Sequence, residues 1–216
     1  MALYGSPLWA EAAAGAGARS KFNLLRAAQK KMALRVARGF RDEATETAGV
    51  LAGISPLALL ARDYSARYSL RVELLKEDME GDALGEAIAE SKRQARQQLL
   101  QRWKESLSVP RAEAQKVIRV VQPHLQVWLE KEVKRLTYRV TQVLTGHGCF
   151  GEYLCQIGKE PTTQCHECKA ANDSTGHTVE KCPKWSGERQ ELAAEIGQDL
   201  SQEGLMKALA SRDEEE

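Results

Sequence analysis

Cys165-His166-Glu167-Cys168-Lys169-Ala170-Ala171-Asn172-Asp173-Ser174-Thr175-Gly176-His177-Thr178-Val179-Glu180-Lys181-Cys182-Pro183 is a run in which a Cys-x2-Cys pair is followed by a polar loop, a histidine and a last cysteine. Tetrahedral zinc needs four soft or borderline donors that converge without strain. A Cys-x2-Cys turn aims two sulfurs at one ion, and a later His and Cys close the shell. Cys165, Cys168, His177 and Cys182 are therefore the candidate ligands, and Pro183 stops the chain from continuing as regular helix. A closed four-ligand shell leaves no position for water, so the expected zinc is structural rather than catalytic. The segment between Pro161 and Pro183 is too poor in apolar residues to fold without such a staple. A thioredoxin-like redox reading of the Cys-x-x-Cys is weak, because no βαβ pattern surrounds it. Cys149, Cys155, His147 and His166 are the rivals for ligand positions. Cys149 and Cys155 lie among Phe150, Tyr153, Leu154 and Ile157 and read as packed thiols. His147 reads either as a nucleic-acid contact or as a satisfied structural histidine.

Upstream of this run the chain reads as helix. Leu125, Trp128, Leu129, Val133, Leu136, Val140, Val143 and Leu144 keep helical spacing up to a glycine stop at Thr145-Gly146-His147-Gly148. Leu84 to Leu107 is a helix dense in Gln, Arg and Lys, separated by Gly81-Asp82 from an earlier one. That earlier helix starts at Ser55-Pro56, with Ser as N-cap and Pro at the first helical position. It carries Leu57, Leu60, Tyr64, Tyr68, Val72 and Leu75 to about Met79. A short helix is expected over Thr45 to Ala52 with Gly53 as its stop. Before it, Ser20 to Arg41 places Phe22, Leu25, Ala28, Met32, Val36 and Phe40 on one side, and Arg26, Lys30, Lys31, Arg35, Arg38 and Arg41 toward the other. Ser20 is its expected N-cap. The opening through Trp9 looks extended, and Ala10 to Ala18 is a small-residue stretch. Pro110 and Pro123 bracket a segment of uncertain structure. No period-2 stretch and no internal repeat occurs, and only Asp213 to Glu216 is low in complexity. The expected fold is mainly α: helical elements, then a small zinc-knuckle module.

Composition bounds the setting. The 216 residues, 43% hydrophobic and 28% charged, are ordinary for a globular protein. No apolar run approaches the ~20 residues that cross a bilayer. Met1 to Pro7 lacks the basic start and apolar core of a secretory signal. Five cysteines, three of them beside a histidine, fit metal binding in a reducing compartment better than a disulfide framework, so the chain is expected inside the cell. The net charge of +1 conceals an asymmetry. Residues 1–60 hold eight basic against four acidic side chains, residues 61–145 sixteen against twelve, and residues 146–216 seven against fourteen. Contact with a phosphate backbone is thus expected from the first two-thirds, unless the charges are simply a solvated helical surface.

The run Leu144-Thr145-Gly146-His147-Gly148-Cys149-Phe150-Gly151-Glu152-Tyr153-Leu154, with the Cys-Cys-His-Cys site and Cys182-Pro183 after it, resembles the C-terminal end of the pol protein of type-1 non-LTR retrotransposable elements of the arthropod ribosomal-DNA-inserting class. Ala2-Leu3-Tyr4-Gly5-Ser6-Pro7-Leu8-Trp9 is similar to the segment where that family's reverse transcriptase palm passes into its thumb. Arg35 to Leu60 looks like the helices that follow, and Trp103 and Trp128 sit where the family has linker tryptophans. The resemblance implies palm end and thumb over 1–60, helical linker over 61–145, zinc knuckle over 146–190 and a helical, acidic tail over 191–216. It implies a multifunctional parent with an endonuclease and an RNA-directed DNA polymerase, which nicks a target and copies its own RNA from the exposed 3′ end. The polymerase metal, Mg2+, belongs to parts absent here. No paired Asp-Asp occurs, and Asp42, Asp63, Asp78 and Asp82 stand apart in the sequence, so no catalytic residue is assigned. The chain then reads as a fragment with Met1 an internal residue, inactive alone and nuclear in the cell. Its partners would be RNA of the element, target DNA and the rest of the polyprotein. Arg26, Lys30, Lys31, Arg35 and Arg38 would contact phosphates, and Tyr153 and Trp185 are the nearest candidates for stacking on unpaired bases. The competing readings are a stand-alone nucleic-acid-binding adaptor and a zinc module that docks another protein. The acidic balance of residues 146–216 favours the last.

Overall fold

The structure is a computed structural model that describes residues 3, 5–14, 22–76, 81–108, 115–130 and 136–211. Its regular elements are all helical: α1 (Ser6–Ala14), α2 (Asn23–Ala37), α3 (Thr45–Leu51), α4 (Leu57–Lys76), α5 (Gly81–Ser106), α6 (Gln115–Val121), α7 (Leu125–Glu130), α8 (Tyr138–Thr145), α9 (Gly151–Gln156), α10 (Ser186–Ile196) and α11 (Gln202–Ser211). No helix among the described residues is long and apolar enough to cross a membrane.

The main core is built where α2, α3, α5, α6, α7 and α8 meet. Ala33 and Ala37 of α2 press on Ala48, Val50 and Leu51 of α3, while Trp103, Ile118, Val121, Leu125 and Trp128 close the other side. Small residues on α2 allow this close approach, and the two indoles fill the space between the helices. Trp128 is buried, and its Nε1–H donates to the Val50 carbonyl at 3.0 Å. That bond supplies the partner a buried indole requires and fixes α7 against the end of α3. Thr141 of α8 donates its hydroxyl to the Ala37 carbonyl at the end of α2. Trp103 and Trp128 are thus core residues.

Four expectations change. The opening is helical, because Pro7 sits in the first turn of α1, where its missing N–H has no intrahelical partner to lose. α2 ends at Ala37 rather than Arg41, with Arg38 in the left-handed region (φ 54°) as its cap. Expected features at Ser20, Met79, Pro110 and Val133 lie outside the described residues. At Ser55-Pro56 the helix is entered one residue later than the motif predicts. The Leu60 N–H donates to the Pro56 carbonyl, and the Leu57 N–H, in the first turn, is taken by Gln29 Oε1 of α2 at 3.0 Å. Gln29 Nε2 returns to the Ser55 carbonyl at 2.7 Å, so a side chain from α2 caps α4 instead of Ser55.

The fourth change concerns the end of the chain. Met206 of α11 is fully buried in the main core, with Leu209 packed against it. Gln202 at the start of α11 donates to the Val143 and Leu144 carbonyls, each at 3.2 Å, and so caps α8. The chain therefore leaves the body at Gly146 and returns to it at Gln202. From Gln202 through Ser211 the expected tail is part of the helical body.

Candidate functional site

Gly146, φ 80°, ends α8 as a left-handed cap whose N–H donates to the Gln142 carbonyl at 2.9 Å. The chain then turns through His147 to Phe150 and begins α9. Gly151 stands where the fold permits nothing larger. A Cβ there would lie 2.9 Å from the Thr163 carbonyl oxygen, 3.1 Å from Asp173 Cβ and 3.2 Å from the Gln164 carbonyl oxygen. This close approach brings the start of α9 against the ligand loop.

Asp173 joins the two. It is buried, and its Oδ2 accepts the Gly151 N–H at 3.0 Å while Oδ1 accepts the Thr178 hydroxyl at 2.9 Å. Its own N–H donates to Thr163 O at 2.7 Å, and its carbonyl accepts from Glu152 N at 3.0 Å. Four bonds from one residue thus fix the loop between the two halves of the Cys-Cys-His-Cys motif. Sequence spacing marks Asp173 only as part of a polar loop. An aspartate preceding Ser-Thr-Gly is the available sign that the loop is bonded to itself.

The four motif residues converge. Cys165 Sγ, Cys168 Sγ, Cys182 Sγ and one ring nitrogen of His177 lie within 4.8 Å of one another. Zn–S bonds of ~2.3 Å and Zn–N bonds of ~2.0 Å in a tetrahedron require donors roughly 3.5–3.8 Å apart, so the cluster has the size and donor chemistry for one such ion. His177 Nε2 faces Cys168 Sγ at 3.2 Å. Local backbone explains the convergence. Cys165 N donates to Ala170 O at 2.9 Å and Lys169 N to Cys165 O at 3.0 Å, with Lys169 in the left-handed region at φ 65°. His177–Lys181 forms a π-type turn closed by Cys182 N donating to His177 O at 2.7 Å. The wider turn swings His177 and Cys182 to one side, a use of π geometry that recurs at functional sites. Arg189 of α10 holds that turn from behind, through Nε to Val179 O at 2.9 Å and through Nη2 to the Cys182 carbonyl.

The thiols differ electrostatically. Burial pushes the Cys165 thiol above the ordinary cysteine value, against backbone N–H groups of Cys168 and Glu167 that pull it down. The Ala170 backbone N–H lowers that of Cys168. The balance favours the thiolate, the form that binds metal, at Cys168 and the protonated thiol at Cys165.

The rivals stand apart from this cluster. His166 is exposed, with Nε2 3.7 Å from Glu160 Oε1. Cys149 is exposed and Cys155 half-buried, so the expected packing of Cys149 as a buried thiol is not what the fold does. His147 is structural. Its Nδ1 meets buried Glu43 Oε1 at 2.7 Å, and its ring stacks on Tyr153 with centroids 4.5 Å apart. The Tyr153 hydroxyl donates to Asp42 Oδ2 at 2.8 Å, and Phe40 packs edge-on with His147 and tilted against Tyr153. Burial lowers the His147 pKa, but the bond to Glu43 and the charges of Glu43 and Asp42 outweigh it and raise the value overall. Burial and the Asp42 bond push the Tyr153 phenol up to about 12. This set joins the module to the loop between α2 and α3.

The expected nucleic-acid residues separate into groups. Lys31, Arg35 and Arg38 are exposed. Arg26, also exposed, and half-buried Lys30 border a cavity of about 210 Å3 beside Trp103. Tyr153 is buried and stacked, which corrects its expected role: it presents no open face to a base. Trp185 is 37% exposed, in a single 3-10 turn (Pro183–Trp185) directly after the last ligand. Comparison with known protein families, curated proteins and solved structures finds no match.

Proposed function

We propose that the chain is the C-terminal part of a retrotransposon RNA-directed DNA polymerase with endonuclease, used for target-primed reverse transcription. In this reading the helical body grips RNA of the element or target DNA, and Cys165, Cys168, His177 and Cys182 hold a structural zinc knuckle. The single observation that supports the zinc-knuckle part of the reading is the convergence of four donors within 4.8 Å, on a loop bonded by Asp173 and Arg189. Zinc bound there would cross-link the turn at Cys165 to the π turn at His177. The residues of the chain then do the positioning: Asp173 sets the loop, and Arg189 orients the Cys182 carbonyl.

Nucleic-acid binding is supported by α2, which carries Arg26, Lys30, Lys31 and Arg35 without an acidic residue between Asn23 and Ala37. Lys31, Arg35 and Arg38 are exposed for phosphate contact, and Trp185 offers a partly open aromatic face beside the ligands. Polymerisation and cleavage are assigned to segments outside this chain.

The test is binding of the zinc-loaded chain to single-stranded RNA across a salt series. The expected slope of log affinity on log salt is about −0.7 per phosphate contact, shallower by about that amount in Arg38→Gln. Trp185→Ala is expected to weaken binding by about 5- to 100-fold. A flat salt profile would remove the nucleic-acid reading and leave the alternative, a protein-docking zinc adaptor. Fourteen acidic against seven basic residues across 146–216 favour that alternative for the module itself.

A further inference from the structure

α1, α2 and α4 enclose an open groove of about 1350 Å3, larger than the ~300–1000 Å3 typical of small-molecule pockets. Leu25, Ala28 and Met32 of α2 form one bank, Leu57, Leu60, Tyr64 and Tyr68 of α4 the other, and Pro7 and Leu8 one end. These are the apolar stripes that helical spacing directs toward a core. Instead Met32 is 56% exposed, Tyr68 58% and Leu8 92%. The main core takes Ala33 and Ala37 from a different side of α2, and although α1 packs on α4, Leu25, Met32, Tyr64 and Tyr68 stay exposed along the groove.

Among the described residues the lining contains no charged side chain. A groove that tracks a nucleic-acid backbone needs cations along its walls, so phosphate is the wrong occupant. An edge-on strand is also excluded, since the groove offers helix faces and no sheet edge among the described residues. The rims are basic. At 100° per residue, Lys31 and Arg35 fall about 60–100° to one side of Met32 around α2, and both are exposed, as is Arg71, about one turn beyond Tyr68 on α4. A second copy placed two-fold on this face would set basic rim against basic rim, which opposes self-association.

We infer that this groove docks an amphipathic helix from another polypeptide, with an apolar stripe flanked by Asp and Glu. Leu57 to Tyr68 along α4 covers about 16 Å at 1.5 Å per residue, so a helix of about three turns fills the groove. Its apolar residues at i, i+3, i+4 and i+7 enter between α2 and α4, and its carboxylates meet Lys31, Arg35 and Arg71. The helix shares Lys31 and Arg35 with the phosphate contacts proposed above, but its apolar contacts with Leu25, Met32 and Tyr68 do not rest on that reading.

The test uses the zinc-loaded full chain and three fluorescent 16-residue helical peptides: a Leu stripe flanked by Glu, the same stripe flanked by Lys, and a scrambled Glu peptide. Anisotropy titration is expected to show the Glu-flanked peptide binding at least tenfold tighter than either control. Leu25→Ser/Met32→Ser, neutral and at solvent-facing positions, is expected to lose at least tenfold with unchanged circular dichroism and unchanged RNA binding. Lys31→Glu/Arg35→Glu is expected to reverse the preference between the Glu and Lys peptides. Equal binding of the charged peptides, no binding of any, or no loss in the serine variant would overturn the proposal. So would a dimer by light scattering that the serine variant abolishes.

Discussion

Removing the metal, by Cys168→Ser or by a chelator, is expected to unfold the module and leave the body folded. The reason lies in where the apolar burial is. The main core cluster draws its residues from Ala33 to Leu144 and from Met206, and none from between Phe150 and Ala193. In that interval the buried apolar residues are Phe150, Tyr153 and Ala193, together with the ligands Cys165 and Cys182. Two buried aromatic side chains contribute about 3–6 kcal/mol, whereas a closed structural zinc shell contributes about 10–16 kcal/mol to folding. The metal therefore outweighs apolar burial in holding this segment folded. Hydrogen exchange read by mass spectrometry checks it directly. The amides of Cys165, Lys169, Asp173 and Cys182, all bonded within the module, are expected to exchange at least ~10³-fold faster without metal. Those of Ala48, Ala52 and Thr141, bonded within the body, are expected to keep their protection. Unchanged protection in the module would show that the four donors hold no structural ion. Equal collapse of both regions would show one cooperative unit and refute the independence of the two cores. Because burial holds the Cys165 thiol protonated to higher pH, zinc must displace that proton, and apparent affinity is expected to rise with pH.

The junction carries a pH signature. The His147 pKa is raised in the fold, so its pairing with Glu43 contributes stability that is complete below the ordinary histidine value and is lost as pH rises through the raised value. Thermal melts between pH 5.5 and 8.5 should show this decline, and His147→Gln should flatten it; an unchanged slope in the variant would clear His147 of the effect. Gly151→Ala forces a Cβ against two carbonyl oxygens and is expected to cost about 1–3 kcal/mol, read as roughly 5- to 150-fold weaker zinc affinity by competition with a chromophoric chelator. Trp128→Phe removes the bond to Val50, whose carbonyl keeps the Gly53 N–H at 3.1 Å. A loss of about 1–3 kcal/mol in urea unfolding of the body is expected, with zinc content unaltered; a change in zinc content would mean that the two cores are coupled.

The candidate site was legible because its information is local. Cys-x2-Cys, a polar loop and a closing His and Cys lie within eighteen consecutive residues, so donor identity and spacing determine which atoms can meet. Helix existence was legible for the same reason, since Gly53 and Gly146 act as stops through their own backbone conformation. The supporting residues were not. Asp173, Arg189 and Gln29 act on groups up to 28 residues away, and no periodicity encodes a side chain's choice of a distant carbonyl or amide. Tyr153 shows the limit from the other direction. Its proximity to the motif made it a candidate for binding bases, but Asp42, more than a hundred residues upstream, holds its hydroxyl.

The apolar stripes of α2 and α4 expose the deepest gap between pattern and fold. Periodicity states that Leu25, Met32, Leu60, Tyr64 and Tyr68 share faces; it does not state what covers those faces. The α2 core contact is made by Ala33 and Ala37, which add little to any hydrophobic pattern but permit α3 to approach closely. Exposing the larger side chains has a real energetic cost: each Leu or Met left in water forgoes part of the ~1.5–3 kcal/mol that full burial provides. An isolated chain could recover some of that by closing α1 and α4 onto α2. Here Gln29 opposes such a closure, because its amide holds the start of α4 at Ser55 and Leu57 with two bonds, at 2.7 and 3.0 Å. Shifting α4 across the groove would break both and leave the first N–H of the helix without its cap. A specific polar clasp thus fixes the start of α4 against α2, and beyond it Met32, Tyr64 and Tyr68 stay exposed, as a surface whose apolar complement comes from outside the chain would require.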